Sequence, residues 1–302
     1  MSSQVPVAPV PVAPVVEARR TTRRRWRPKR ILRRAGVNIL ALLVFAVMVF
    51  PVFWMVSTAF KPASDILTFT PKLIPSSATL VNFEDAINRP YFWRVAKNSL
   101  IVVGAVTACS LVLAFLAALA LSKFSFRGRE GFIVIVIVVQ MIPLNALVIP
   151  LALYFGDVHL TNTLLGVIVT YMTFVLPFTV WTLRGFVIAV PKELEEAAMV
   201  DGSTRVGAFV RILLPLVAPG LVATSIFAFI QAWNEFIIAY VFLTDSEKQT
   251  LGVWLAYFTT QRGTEWGPLM AGATLTALPV VAFFLLVHRR IAFGLTSGAV
   301  RG

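Results

Sequence analysis

The sequence predicts an all-α polytopic membrane protein with six transmembrane helices, and three observations carry this prediction. Only 14% of the 302 residues are charged, whereas a soluble domain carries about a quarter. The mean hydropathy is +0.83. Several apolar runs reach the roughly 20 residues that a helix needs to cross a bilayer. Because continuous runs of this length differ from the alternating pattern of a membrane β-barrel, we expect the spans to be helical.

Six apolar runs define the predicted spans within one membrane domain, residues 35–302. In chain order they cover about Val37–Phe60, Asn98–Ser122, Gly131–Tyr154, Leu164–Leu183, Leu214–Tyr240 and Leu269–His288. Several runs contain proline, which membrane helices tolerate when neighbours satisfy the freed backbone groups. These prolines predict kinks, and hinges for a conformational change are the alternative interpretation.

Residues 1–34 are predicted to form a disordered cytoplasmic tail. Prolines alternate through Val5–Val16, which favours an extended chain, and 10 of the 27 Lys and Arg residues lie between Arg19 and Arg34. Positive charge directly before a span fixes topology and contacts anionic lipids, so we expect membrane lipids and no nucleic acid as partners here. With both termini cytoplasmic, the inner segments hold 20 Lys and Arg residues and the outer loops 7, which predicts that orientation.

The loop at about 185–213 is charged and helix-forming, although it lies between two apolar runs that are long enough to cross a membrane. Pro191 suits the first turn of a helix, and acidic residues follow it where the helix dipole favours negative charge. Gly202 suits a left-handed helix stop, and Ser203 is expected to cap a second helix. The predicted apolar face of that second helix comprises Val206, Phe209, Val210 and Leu213. Either a docking element or an ordinary interfacial amphipathic helix fits this pattern.

A spaced motif decides between these two interpretations. It reads E-A-A, three residues, G, nine residues, then I, any residue, L and P. This motif resembles the signature loop of permease subunits in binding-protein-dependent ABC importers. The matching positions are Glu196, Ala197, Ala198, Gly202, Ile212, Leu214 and Pro215. Further stretches resemble the maltose-importer-type second permease of the carbohydrate subgroup: Trp233–Phe236, Glu265–Gly272 and Gly294–Gly302.

The resemblance implies the type I ABC importer fold, in which the loop contains a cytoplasmic coupling helix. It also implies a place in the cell (inner) membrane beside a second homologous permease, a dimer of ABC ATPase subunits and an extracytoplasmic sugar-binding protein. The residues implied in ATPase coupling are Glu196, Ala197, Ala198, Asp201, Gly202, Phe209, Ile212 and Pro215. No G-x-x-x-x-G-K-[ST] phosphate loop occurs in the chain, so ATP and magnesium are expected to be used by the partner subunits.

A few polar side chains interrupt the apolar runs and are candidates for a substrate path. Intramembrane acids usually face a cavity, which draws attention to Glu235; the alternative is that Glu235 lies at headgroup level and orders the following loop. The amides are expected either to line the path or to bond between helices. The candidate path residues are Gln140, Asn145, Gln231, Trp233, Asn234 and Glu235.

Other function classes are weakly supported. No Ser/His/Asp set is apparent, and the two histidines and one cysteine are scattered, so neither an enzyme nor a metal site is expected. An ion-coupled secondary transporter needs more intramembrane ionisable groups or paired broken helices, and a membrane scaffold gives no uptake. The outer aromatic residues, among them Tyr91, Trp254 and Tyr257, are expected to anchor the membrane interface; a sugar platform or a binding-protein contact is the alternative.

Overall fold

A computed structural model describes residues 28–296, with side chains from Gly36 to His288. Residues 1–27 of the predicted tail and residues 297–302 of the C-terminal motif lie outside the described residues. The elements, in chain order, are α1 (Pro28–Ala59), α2 (Ala63–Ile66), α3 (Val81–Asn88), α4 (Phe92–Lys123), α5 (Arg129–Gln140), α6 (Leu144–Asp157), α7 (Leu164–Ile188), α8 (Lys192–Val200), α9 (Arg205–Ala208), a π-helical turn (Phe209–Leu213), α10 (Leu214–Asn234), α11 (Ile237–Phe242), α12 (Leu251–Ala256), β1 (Thr259–Thr260), β2 (Gly263–Thr264) and α13 (Trp266–Thr296). The chain divides into two compact units after Pro51, and all contacts below belong to the unit that begins at Val52.

Five helical segments are long and apolar enough to cross a membrane. They are Gly36–Ala59, Phe92–Lys123, Leu164–Ile188, Arg205–Asn234 and Trp266–His288. The third predicted span forms α5 and α6, which meet at 99° and bring the number to six if the bent pair is one span. The kink that proline predicted within the run Gly131–Tyr154 is confirmed at Pro143, where the chain divides into two helices. Pro143 explains the break, because proline lacks an amide hydrogen and disfavours a helical conformation in the residue before it.

The fifth span starts at Leu214 with α10, as predicted, and ends earlier than predicted. Its helical segment runs from Arg205 to Asn234 and leaves the helix at Glu235, whose backbone is extended. The predicted end at Tyr240 is wrong, because the chain starts a new helix, α11, within that stretch. The Glu235 carboxylate accepts hydrogen bonds from the backbone amides of Ile238 at 2.9 Å and Ala239 at 3.4 Å. It thereby satisfies amides that have no partner inside a helix that has just begun.

The buried interior follows the contact between α4 and α7. One cluster lies towards the start of α4 and includes Val102 and Tyr171. The second lies towards the end of α4 and includes Ala114, Leu183 and Leu213. Small buried residues on α4 allow the two backbones to approach closely, as is common between membrane helices.

α7 and α10 pack closely at Gly220. A Cβ atom added to this glycine would overlap the ring of Phe186, which lies against the helix at that point. The absence of a side chain therefore sets the distance between the two helices. Gly104, on α4, has open space where its side chain would be.

Hydrogen bonds fix the loop between α1 and α3. The buried carboxylate of Asp65 accepts from Lys72 Nζ at 2.6 Å and from the Oγ and backbone amide of Ser76 at 2.6 and 2.8 Å. The bonds from Lys72 and Ser76 lower the pKa of Asp65 to about 2, so the carboxylate stays charged at neutral pH. The Asn82 side chain donates to the backbone oxygens of Ala59 and Lys61 at 2.9 and 2.8 Å. This loop therefore forms a rigid cap on one end of the bundle.

We expect Gly220→Ala to destabilise the purified chain by about 1–3 kcal/mol, since over-packing a filled contact costs that much. Thermal unfolding in detergent measures the effect. Gly104→Ala is the matched control, and its expected effect is neutral or slightly stabilising because alanine favours a helix over glycine. In a Phe186→Ala background the Gly220 substitution should become harmless. Equal melting temperatures for the two single glycine variants would contradict the close approach.

Candidate functional site

The loop after α7 folds as a short helix closed by a sharp turn. α8 has nine residues, and Gly202 follows it with φ +89°. The Ser203 amide donates to Ala198 O at 2.9 Å and the Gly202 amide to Met199 O at 3.1 Å. This pair of bonds is the Schellman motif, in which a left-handed residue closes a helix. The left-handed stop predicted at Gly202 is confirmed.

The second helix of the loop departs from the prediction in two details. Thr204, not Ser203, caps it, because the Thr204 hydroxyl accepts from the Gly207 amide at 3.1 Å. The predicted apolar face is only half buried: Leu213 is 1% exposed and Phe209 packs on the interior, whereas Val206 is 71% and Val210 49% exposed. The π-helical turn explains the mismatch, since its wider repeat rotates side chains away from the spacing of an α-helix.

α8 presents most of its surface to the outside of the chain. None of its residues is buried, and the apolar side chains of Leu194 and Val200 are 45% and 87% exposed. Glu196 and Asp201 make no ion pair within the described part of the chain. Exposed apolar residues beside acids that have no ion-pair partner fit an interaction surface.

One ion pair and one packed cluster tie this loop to the spans. Lys123, at the end of α4, donates to Glu195 of α8, and both side chains are largely buried. The ring of Phe209 lies 5.9 Å from that of Phe115 on α4, and Leu213 is buried in the cluster between α4 and α7. The loop therefore contacts the spans through a charged pair from α8 and an apolar cluster from the π-helical turn.

Two cavities adjoin the break between α10 and α11. The large cavity, of about 460 Å³, is bordered by α7, α10, α11 and the start of α6. The small cavity, of about 190 Å³, lies towards α4 and α12. Tyr171, Ala232, Asn234, Glu235 and Phe236 line both. An apolar pocket with a few convergent polar groups is the usual form of a small-molecule site.

The structure brings four of the six candidate path residues together. Gln231 lines the large cavity, Trp233 the small one, and Asn234 and Glu235 line both. Gln140 and Asn145 are exposed on the bent pair α5–α6 and line neither of these cavities. For these two the path assignment stays a prediction.

The contacts of Glu235 bear on both interpretations that the sequence left open. Its carboxylate oxygens start α11, as the structural interpretation expected, and the residue also lines both cavities. The Tyr171 hydroxyl donates to the Glu235 backbone oxygen at 3.3 Å, which ties α7 to the break. Trp233 stacks on Phe229, with ring centroids 5.6 Å apart and planes at 8°. One face of Trp233 is therefore occupied by the interior.

Sequence reasoning missed four residues at these sites. Tyr171 and Phe174 line the large cavity, and Lys123 and Glu195 hold α8. Tyr171 carries a recognisable signal, since it is the one tyrosine in the fourth apolar run and a polar group at membrane depth usually has a role. The partners of the Lys123–Glu195 pair are 72 residues apart in sequence, so no local sequence pattern predicts the pair.

We expect Glu195→Gln to speed amide hydrogen exchange in α8 by about threefold to tenfold, because a partly buried ion pair contributes on the order of 1 kcal/mol. Exchange mass spectrometry of the Lys192–Val200 peptide measures it. Glu193→Gln is the matched control: it removes an exposed carboxylate from the same helical turn and so reports any loss of helix-dipole stabilisation alone. Equal exchange rates in the two variants would show that the Lys123–Glu195 pair does not hold α8.

Comparisons with known proteins agree with this geometry. Residues 110–296 match the sequence profile of the family described as "Binding-protein-dependent transport system inner membrane component". The chain is 45% identical to the diacetylchitobiose uptake system permease protein DasC of Streptomyces coelicolor, over 89% of this chain and 98% of that protein. It is 34% identical to the trehalose/maltose transport system permease protein MalG of Thermococcus litoralis, over 90% and 98%. A bacterial ABC transporter that imports the acidic polysaccharide alginate shares the fold, with a TM-score of 0.74, 21% identity and coverage of 87% and 98%.

The family match extends over more than half of the chain and includes both the loop around α8 and the break at Glu235. The resemblance inferred from the spaced motif is thus confirmed. The chain belongs to the family of inner membrane components of binding-protein-dependent ABC transport systems, and it is a multi-pass permease subunit of that family.

Proposed function

We propose that this subunit forms, with a second homologous permease, the path by which a carbohydrate crosses the membrane in an ATP-driven importer. The observation that carries the proposal is the large cavity at the helix break, where Gln231, Asn234 and Tyr171 add polar groups to apolar walls. Amide and hydroxyl groups of this kind pair with sugar hydroxyls. Relatives named for diacetylchitobiose and for trehalose/maltose transport support the carbohydrate class.

ATP is hydrolysed, in this proposal, by a dimer of separate ATPase subunits on which α8 docks. The exposed apolar side chains of α8 and the unpaired acids Glu196 and Asp201 supply the contact. The small residues Ala197 and Ala198 allow close approach, and the Gly202 turn holds α8 against the second helix. Phe209, Ile212 and Pro215 continue that helix into the membrane. No phosphate-binding loop occurs in this chain, so ATP and magnesium are assigned to the partners.

The membrane orientation in this proposal has both termini in the cytoplasm, as the distribution of Lys and Arg favours. α4 has 32 residues and is therefore roughly 48 Å long. The α8 contact with Lys123 lies at its C-terminal end, which becomes the cytoplasmic end. The α1–α3 loop and the β-hairpin then face outside, where an extracytoplasmic sugar-binding protein delivers its ligand.

Transport follows from a shift between two arrangements of the permease pair. ATP binding draws the ATPases together and displaces α8, and Lys123 and Leu213 pass that displacement to α4 and α7. Tyr171 of α7 is hydrogen-bonded to the break at Glu235, so movement of α7 changes the walls of both cavities. Each ligand, nucleotide or sugar, shifts the equilibrium between the two arrangements by the difference between its binding free energies to them.

We expect Gln231→Ala and Asn234→Ala to raise the KM for sugar uptake by about fivefold to tenfold, since one lost hydrogen bond costs roughly 1 kcal/mol or slightly more. The assembled transporter in proteoliposomes, loaded with ATP and supplied with its binding protein, is assayed with diacetylchitobiose and trehalose. Asn88→Ala, an exposed amide at the end of α3, is the control and should leave KM unchanged.

Two results would contradict this function. Uptake that persists without ATP and collapses when a proton gradient is dissipated would identify an ion-coupled secondary transporter. The second result is an assembled complex that hydrolyses ATP but transports no sugar from a broad carbohydrate panel. The chain would then be a scaffold or part of a transporter for another substrate class.

A further inference from the structure

A third cavity lies at the end of the fold opposite to α8. It has a volume of about 200 Å³ and is formed by the start of α4, the segment before α12 and the end of α12. We call it the outer cup. The side chains that define it belong to Arg89, Tyr91, Ser246, Gln249, Trp254 and Tyr257. Since most drug-sized ligands need at least about 300 Å³, the outer cup has room for a single ring.

Two exposed tyrosines form the walls of the outer cup. Tyr91 is 44% exposed and Tyr257 47% exposed, so both rings are open to a ligand. Tyr91 has φ +66°, a left-handed conformation that is strained for a residue with a side chain and recurs at binding sites. It occupies the N-cap of α4. The fold therefore accepts backbone strain at the position where it presents this ring.

Buried groups hold the walls and the floor in place. Gln249 is 3% exposed, and one end of its amide bonds the Tyr257 hydroxyl at 2.8 Å. Gln249 lines the cup, and no hydrogen bond to its Oε1 atom is formed among the described residues. Trp254 is 4% exposed and donates from Nε1 to Pro90 O at 3.2 Å. A site assembled in this way is preorganised, so little ordering is needed when a ligand binds.

The charge of the outer cup selects against ionic ligands. Its one charged lining residue, Arg89, is paired with Glu265 at 2.9 Å and lies over the Phe258 ring at 4.0 Å. Tyr91, Ser246, Gln249 and Tyr257 contribute hydroxyl and amide groups without charge. Aromatic faces combined with neutral donors and acceptors suit a polyhydroxylated ring, which has apolar C–H faces and a polar edge.

We propose that the outer cup binds one ring of a neutral oligosaccharide before the sugar enters the translocation path. The proposal rests on the function proposed above. Its position supports it: Trp254 and Tyr257 line the cup, whereas Leu251, Gly252 and Leu255 of the same short helix line the small cavity beside Glu235. α12 thus separates an outer sugar subsite from the candidate path by the thickness of one helix.

The test uses the complete transporter, with both permeases and the ATPases, in nanodiscs and without its binding protein. Ligand-observed saturation-transfer NMR measures binding of diacetylchitobiose, and of trehalose as a second neutral probe. The variants are Tyr91→Ala and Tyr257→Ala. Trp93→Ala, an exposed aromatic neighbour that does not line the cup, is the matched control. We expect each cup variant to weaken binding by about threefold to tenfold, in the range of one lost aromatic contact, and the control to behave as the native protein.

Further readouts separate the outcomes. Tyr91→Gly removes the ring without backbone strain, so a loss of binding in this variant, with native thermal stability, supports the proposal and excludes misfolding as its cause. Native binding in all cup variants would overturn it. Unchanged sugar binding combined with lost stimulation of ATP hydrolysis by the binding protein would also overturn it, because the cup would then be a protein contact. Failure of the native complex to import any sugar would instead refute the proposed function.

Discussion

Where one helix ends and another begins, the first backbone amides of the new helix need a hydrogen-bond partner from outside that helix. In this protein the carboxylate of Glu235 supplies those bonds to Ile238 and Ala239. The cavities, the exposed edge of Asn234 and the contact with Tyr171 all depend on that break. One acidic side chain thus serves the architecture and the candidate path together.

The same helix bundle has two ends of different character. At one end α8 is held by an ion pair and leaves apolar surface uncovered, which suits a partner that binds and moves it. At the other end Asp65 and Asn82 fix the α1–α3 loop through multiple hydrogen bonds, and Gln249 and Trp254 fix the outer cup. This difference between the two ends fits the proposed function, in which a partner moves α8 at one end and the other end offers a preformed binding surface.

Much of this arrangement was accessible from the sequence. Apolar run length located the spans, and the spacing from Glu196 to Pro215 identified the loop and its family. The left-handed turn at Gly202 followed from local chemistry alone. Features that depend on long-range contacts could not be predicted from the sequence. The Lys123–Glu195 pair, 72 residues apart in sequence, requires knowledge of which elements meet. The break before Leu144 was predicted from its proline, although its angle of 99° was not. An ordering role of Glu235 for the following loop was one of the two interpretations of that residue. The cap at Thr204 was misplaced by one residue because serine and threonine are adjacent and both are good caps.

The central claim is that α8 and its turn form the contact with the ATPase. The direct measurement is quantitative mass spectrometry of the proteins that co-purify with the tagged chain in mild detergent. Gly202→Pro forbids the φ of +89° that the turn needs, Gly202→Asn tolerates it, and Glu196→Lys reverses an exposed charge of α8. The account predicts that the native chain and Gly202→Asn retain an ATPase and a second permease, whereas Gly202→Pro and Glu196→Lys lose the ATPase alone. Retention of the ATPase at the native ratio in Gly202→Pro would contradict it.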